Sequence, residues 1–486
     1  MTIGKNQRII RPVKYITKLD LLAAEQVESI HQASLKILEQ VGIRMPNPKV
    51  IEILTEAGAR VDREKNLVYF PPKLVEEALK KAPGRFTLCA RDREKDLLID
   101  GTRGYLTLDG CGLQVFDLES GQLRLSTLRD LEQATLVADY LEQVSFLWPV
   151  VSARDCPEMQ QPLYELLAQL SYSSKHVQAM TAVDARSARG SVEIASAVAG
   201  GADALRRRPI ISNFQCSVSP LAYDPGGLEA AMIFADAGIP TGFLTMQVGC
   251  STAPATTAGS LAQANAEVLA GLTFLQLYRP GSPTFYGSCA TVMELHTGAV
   301  ACGGPEDFLF QALSAQMARY YNLPSNIGTF STGAKASNWH SGVENALSGA
   351  VSIFAGADMM CGAGLLAGAL IFSFEQLLLD CEIFEIIRRT AEGIEVNSET
   401  LALDTIAKVG SDDHFMVEPH TIKHMRDLWQ PELINRSPYG KWQAEGCREA
   451  LENAQEKAKW ILANHRPEPL EDKLLQEIRK IIGSYK

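Results

Sequence analysis

Positive charge is what the middle of this 486-residue chain has least of. Between Pro209 and Ile387 the only Lys or Arg residues are Arg279, Arg319 and Lys335, against 13 acidic residues. Over the whole chain 46 basic and 57 acidic residues leave a net charge of −11. Such a chain, with no long basic run, lacks the clustered cations that hold nucleic-acid phosphates. The cation-poor segment is rich in Ala, Gly and Ser, which lets helices pack closely. It calls for burial, in part against a second copy in a homo-oligomer. No C-x-x-C or H-x-C pair occurs among the ten cysteines, so they read as reduced thiols of a cytoplasmic protein rather than a disulfide frame or a thiolate metal site. The absence of H-E-x-x-H, G-x-S-x-G and Walker A sequences removes the common hydrolase and nucleotide signatures. The N-terminal stretch MTIGKNQRIIRPVKY has no apolar core of a secretory leader. The longest apolar run, Leu347 to Phe374, contains Asp358 and is followed closely by Glu375 and Asp380. It reads as a buried helix plus a buried strand, not a membrane span.

What is present divides in three. The first part, residues 1–140, reads as a small charged α+β cap. It has a helical pattern over Leu21–Gln40, a second helix from about Lys49 to Gly58 capped by Asn47 with Pro48 first, and a third after Pro71-Pro72. Short strands are expected at Val68–Phe70, Phe86–Cys89 and Leu97–Asp100. Residues 141–465 alternate short apolar runs with helices. The expected strands are Ser145–Ser152, Val177–Val183, Ile210–Ser217, Thr241–Val248, Pro283–Ser288, Asn326–Ser331, Ala357–Gly362 and His414–Val417. Eight strands alternating with helices predict an α/β fold of the (β/α)8 TIM-barrel class, with an open doubly wound sheet as the alternative. Residues 466–486 follow a Pro467-Glu-Pro break and read as a solvated helical tail, with a dimer strap as the alternative.

In a barrel, chemistry sits where the strands end at their C-terminal side. Those ends are polar but short of acid/base pairs, and no catalytic residue stands out. The expected substrate-contacting set is Gln215, Gln247, Tyr286, Phe330, Ser331, Lys335, His340, Phe374 and His414. Lys335 is either a solvated loop lysine or an anion clamp. His340 and His414 are the histidines expected to face the mouth. Trp148, Tyr286, Phe330, Phe374 and Phe415 are either ordinary core or a ring cage for a quaternary ammonium, whose charge is drawn to ring faces. His420 and His424 lie one helical turn apart, but only Glu418 accompanies them, so no metal site is expected.

Three stretches carry a resemblance: SLKILEQVGIRMPNPKVIEILTEAGARVD continuing into VYFPPKLVEEALKKAPGRFTLCARD, then GSCATVMELHTGAVACGGPEDFLFQALSAQMARYYNLP, then HTIKHMRDLWQPELINRSPYGKWQAEG. Together, over roughly residues 20 to 465, they resemble the trimethylamine methyltransferase family. The resemblance implies a (β/α)8 barrel that moves a methyl group from a methylated amine to the Co(I) of a separate corrinoid protein. The cofactor, cobalamin or another corrinoid, would thus arrive on a partner. Archaeal trimethylamine enzymes carry pyrrolysine in the loop matching Phe330–Lys335. Aligning Lys335 and Glu344 with the family's lysine and glutamate places that position at about Ser331, and no pyrrolysine is present. Asn338 stands for the family's usual acidic residue and His340 for its glutamine. The chain is therefore similar to the non-pyrrolysine branch, which uses quaternary amines such as glycine betaine and gives dimethylglycine. Proline betaine, carnitine and γ-butyrobetaine are alternatives within that chemistry; a barrel that binds a small quaternary ammonium without turnover is the alternative outside it. A betaine carboxylate would need donors, for which Lys335, His340, Gln215, Gln247 or backbone amides are the expected sources.

Overall fold

A computed structural model describes residues 9–411 and 413–485; the first eight residues of the stretch read for a leader lie outside them. Eight parallel strands form a closed ring: β1 Arg103–Leu108, β2 Val144–Leu147, β3 His176–Gln178, β4 Ile211–Cys216, β5 Thr241–Thr245, β6 Tyr286–Ser288, β7 Ser325–Gly328 and β8 Met359–Ala363. Closure is direct, because β8 pairs with β1, Met359 opposite Tyr105 and Cys361 opposite Thr107. A helix follows each strand: α1 Leu128–Tyr140, α2 Gln161–Tyr172, α3 Ala185–Ala199, α4 Pro225–Asp236, α5 Thr257–Tyr278, α6 Pro305–Tyr320, α7 Trp339–Phe354 and α8 Phe374–Ala391. The (β/α)8 expectation holds. Almost every strand residue is buried, because one face fills the barrel and the other meets the helices. Helix starts are fixed by side chains: Asp184 accepts from the Ser187 amide, Asp224 from the Gly226 amide ahead of α4, and Ser373 from the Gln376 amide ahead of α8.

Seven of the eight expected runs overlap a barrel strand. His414–Val417 does not: Phe415–Val417 is one turn of 3-10 helix with all three side chains exposed, and Pro419 follows at once. An apolar triplet left in solvent has no reason to join a sheet. The missing strand is Arg103–Leu108, inside the stretch assigned to the cap. Its flanking Arg103 and Asp109 give it the charged look of its neighbours, although Gly104 to Leu108 are buried.

Three helices of the N-terminal part, Ala24–Lys36, Pro48–Glu56 and Pro72–Leu79, pack over α5. Asn47 caps the second, its side chain accepting from the Lys49 and Val50 amides. Covered on both sides, α5 is buried without a break from Ser260 to Gln276, which removes any amphipathic period. Part of the cation-poor segment is therefore covered by the chain's own cap. The last helix, Asp472–Ser484, is not a solvated tail. It buries Ile478 and Ile482 against α2 and α3, and Gln160 donates to the Ile482 carbonyl at 2.9 Å. Among the described residues no helix is long and apolar enough to cross a membrane. The Leu347–Phe374 run resolves into the end of α7, β8 and two short strands, Leu365–Leu366 and Ile371–Phe372.

Candidate functional site

A cavity of about 280 Å³ opens at the C-terminal ends of the barrel strands. That is close to the lower limit of ordinary small-molecule sites. Two rings form one wall: Trp148, just past β2, and Phe214 of β4, with centroids 5.1 Å apart and planes tilted by 36°. The Trp148 indole donates to Gln178 Oε1 of β3, which fixes the ring. Sulfur lines much of the rest, from Cys216, Cys289, Cys302, Cys361, Met180 and Met246. Burial pushes the Cys216 and Cys302 thiols up to about 12 and Cys361 well above its ordinary value. These thiols are therefore neutral, soft and nearly apolar at physiological pH. Above them a small sheet of Val248–Gly249, Thr291–Met293 and Val300–Ala301 overhangs the opening, and Val248, Thr291 and Val300 reach the cavity.

Two carboxyls complete the lining. Asp109 is the first residue past β1, and Asp307 lies in the first turn of α6. Burial pushes each up to about 6. Asp307 is tied into its surroundings: it accepts from the Gly303 amide at 3.0 Å and is further held by Ser331 and Gln311. Among the described residues Asp109 accepts only from the Gly110 amide next to it, at 2.8 Å. Among the described residues no Lys, Arg or His lines the cavity. The arrangement is an acidic, aromatic, sulfur-lined cup, suited to an organic cation.

The nine expected contact residues are dispersed. Ser331 lines the cavity. Gln215 is buried, donating to the Ala182 carbonyl and Asn213 Oδ1; Gln247 ties β5 to α5 through Thr245 and the Ser260 carbonyl. Tyr286 points outward, stacked on Tyr321 at 6.4 Å, because side chains alternate along β6 and its position faces the helices. Phe330 lies against Gly349 of α7, and Phe374 packs on Phe372 at 4.8 Å. Lys335 is exposed and donates to the Gly333 carbonyl. His340 is also exposed and pairs with Glu344 at 2.8 Å, while Glu344 holds the loop through Thr332 and the Gly333 amide. His414 and Phe415 are exposed, far along the chain from any barrel strand. Of the five rings considered for a cage, Trp148 alone reaches the cavity; its partner is Phe214. His420 and His424 sit on the C-terminal arm beside Glu399.

Asp109 went unread because its strand did. The signal was present in Tyr105-Leu106-Thr107-Leu108 followed by Asp-Gly, an apolar run ending at a turn pair. The sulfur lining had a signal as well: Cys216 ends β4, Cys289 follows β6 and Cys361 lies in β8, each at the mouth end of a strand.

Comparison with known proteins gives the family of the chain. The family profile described as trimethylamine methyltransferase (MTTB) matches residues 3–486. Trimethylamine methyltransferase MttB of Desulfitobacterium hafniense is 34% identical over 459 residues, covering 94% of this chain and 92% of that one. MttB of Methanosarcina barkeri is 31% identical over 470 residues, covering 96% and 95%. A glycine betaine methyltransferase of Desulfitobacterium hafniense is 32% identical over 475 residues, covering 96% and 97%. A crystal structure of the Methanosarcina barkeri monomethylamine methyltransferase (MtmB) is more distant, at 10% identity and a TM-score of 0.46 over 90% of this chain and 92% of that one. With the profile spanning nearly every residue and full-length relatives above 30% identity, the chain belongs to the trimethylamine methyltransferase family.

Proposed function

We propose that this protein transfers a methyl group from a quaternary ammonium compound to the Co(I) of a corrinoid carried by a separate protein. The observation that carries the reading is the composition of the cavity: two rings, two carboxyls and neutral sulfur, with no basic side chain. Each ring face contributes about 0.5–2 kcal/mol to holding a cation. The scarcity of general acids fits the reaction. When the N–CH3 bond breaks, its electron pair stays on nitrogen and the amine leaves neutral; the new carbon–cobalt bond takes its pair from Co(I). No proton has to move, so the protein's work is to bind, align and dry the reacting N–CH3 group.

Ser331 supports a substrate outside the pyrrolysine-dependent group. The family resemblance puts the pyrrolysine position at about this residue, and here a short hydroxyl side chain lines the cavity. Glycine betaine is the first compound to test, since a relative of that specificity matches 96% of the chain. The cavity has no Lys, Arg or His for the betaine carboxylate, so its recognition is directed at the cationic head that all quaternary amines share. The test is a spectral assay of Co(I) cobalamin methylation with glycine betaine, carnitine, proline betaine, γ-butyrobetaine, choline and trimethylamine. Conversion with a quaternary amine and none with trimethylamine is expected. Conversion with trimethylamine alone, or with no amine at all by the folded protein, would overturn the reading.

A further inference from the structure

Two buried carboxylates of the helix layer are saturated with donors. Glu267 of α5 accepts from Ser217, Ser219, Thr245, Gln263 and the Leu221 amide. Asp380 of α8 accepts from Asn345, Gln376 and the Gly364 amide. These are structural groups whose buried oxygens all have partners, as is usual in a folded interior; Glu165 Oε2 and Asp358 Oδ1 are buried without one, but neither residue lines the cavity. Asp109 is short of donors and does line the cavity. It has one donor, the adjacent Gly110 amide on Oδ1, and Oδ2 has none among the described residues.

Its placement is nevertheless rigid. The Asp109 amide donates to the Ala363 carbonyl at 3.0 Å, pinning the residue to the seam where β1 meets β8. The next residue has no room to move either. A Cβ on Gly110 would meet Met180 at 2.7 Å and Trp148 Cε3 at 3.0 Å, so the Asp109–Gly110 turn lies directly against the ring wall. A carboxylate held beside a tryptophan, half-open to a cavity and short of donors, is a charge waiting for a counter-charge. Among the described residues no cation supplies it. The groups that act on it electrostatically, or on which it acts, are Asp380 behind β8 and the thiols of Cys111, Cys302 and Cys361; Asp307 faces the same cavity. None is basic.

We propose that Asp109 is the counter-ion of the substrate's quaternary nitrogen and the residue by which the site selects a permanent cation over an uncharged molecule of the same shape. This rests on the quaternary-ammonium reading above and adds to it the residue that does the selecting. Asp307, satisfied by Gly303 and its neighbours, belongs to the loop that shapes the far side. The upward displacement of Asp109 toward about 6 agrees: burial without a counter-charge disfavours the anion, and a bound cation restores it.

The experiment compares ligand pairs that differ only in charge at the branched centre: choline with 3,3-dimethylbutan-1-ol, and glycine betaine with 3,3-dimethylbutanoate. Binding is measured by calorimetry on the wild type and on Asp109→Asn, Asp109→Glu and Asp307→Asn. The wild type should prefer the cation of at least one pair by about 30-fold or more, the scale expected of a desolvated charge contact. In Asp109→Asn that ratio should fall to within about threefold, and Asp109→Glu should recover part of it. A merely structural role would weaken both members of a pair together and leave the ratio unchanged. Retention of the ratio in folded Asp109→Asn, or its loss in Asp307→Asn alone, would overturn the proposal. If the wild type binds neither cation and demethylates no quaternary amine, the functional reading has failed and this inference falls with it. Turnover of a quaternary amine with the ratio intact in Asp109→Asn would sink the inference alone.

Discussion

A permanently charged ligand makes the cavity's own titration visible. Tetramethylammonium has no ionisable group, so any dependence of its binding on pH belongs to the protein. Burial raises Asp109 and Asp307 to about 6, and a cation prefers the ionised carboxyl. Binding therefore releases a proton below pH 6 and none above pH 7. A carboxyl with a pKa of about 6 is ionised to about 90% at pH 7 and about 10% at pH 5. If Asp109 is the single counter-ion, the dissociation constant should rise about tenfold from pH 7 to pH 5, equivalent to about 1.4 kcal/mol. Calorimetry in two buffers of different ionisation enthalpy counts the proton directly. The fold should survive this range. For acids raised by burial, Asp380 (to about 7) among them, the folded form holds more protons than the unfolded chain, so their effect on stability weakens the fold as pH rises from about 4 to 7 and not as it falls. Acids lowered by partners, such as Asp139 beside His465 and Asp117 beside Ser120 and Arg124, lose stability only as pH falls through and below the ordinary carboxylate range, under about pH 4. A dissociation constant flat from pH 7 to pH 5, with the circular dichroism unchanged, would refute the assignment of ionised carboxyls to the cation site.

Other residues give sharper single readings. Trp148→Phe keeps a ring face and should weaken tetramethylammonium binding by less than about tenfold, whereas Trp148→Ala should abolish detectable binding and, because the side chain is buried, cost about 3–5 kcal/mol in denaturant unfolding. Lys335→Ala should change glycine betaine affinity by less than about twofold, since the ammonium is exposed and turned to the Gly333 carbonyl; a loss confined to carboxylate-bearing ligands would restore the clamp reading. Ile478→Ala, on the final helix, should cost about 2–4 kcal/mol by chemical denaturation, because the side chain is fully buried; a near-zero change would return that helix to a solvated tail. Leu347→Glu lies on an exposed apolar stripe of α7 with Trp339, Val343 and Phe354, and light scattering should show a smaller assembly if that stripe is where copies of the chain meet.

The barrel was legible because its signal is repeated: a run of buried strands, each followed by a capped helix, survives one misassigned member. Two local errors had physical causes. His414–Val417 looks like a strand by composition, but nothing covers it, and sequence does not show what will be covered. Arg103–Leu108 sits among charged cap residues yet closes the ring through β8, a pairing across more than 250 positions that no local pattern encodes. The site was less legible for a related reason. A strand end says which residues are near the mouth, but alternation along a strand decides which face inward, and a one-residue error reverses it. Tyr286 was lost in this way, while Cys289, three positions on, lines the cavity. Lys335 and His340 are rare basic groups in a cation-poor stretch, yet both are exposed and paired, Lys335 on the loop that follows β7 and His340 in the first turn of α7. The lack of cations across that stretch was the informative feature. On the proposal above, a cavity for a permanent cation would have to keep other cations out, and the charge this one lacks is the charge such a ligand would bring.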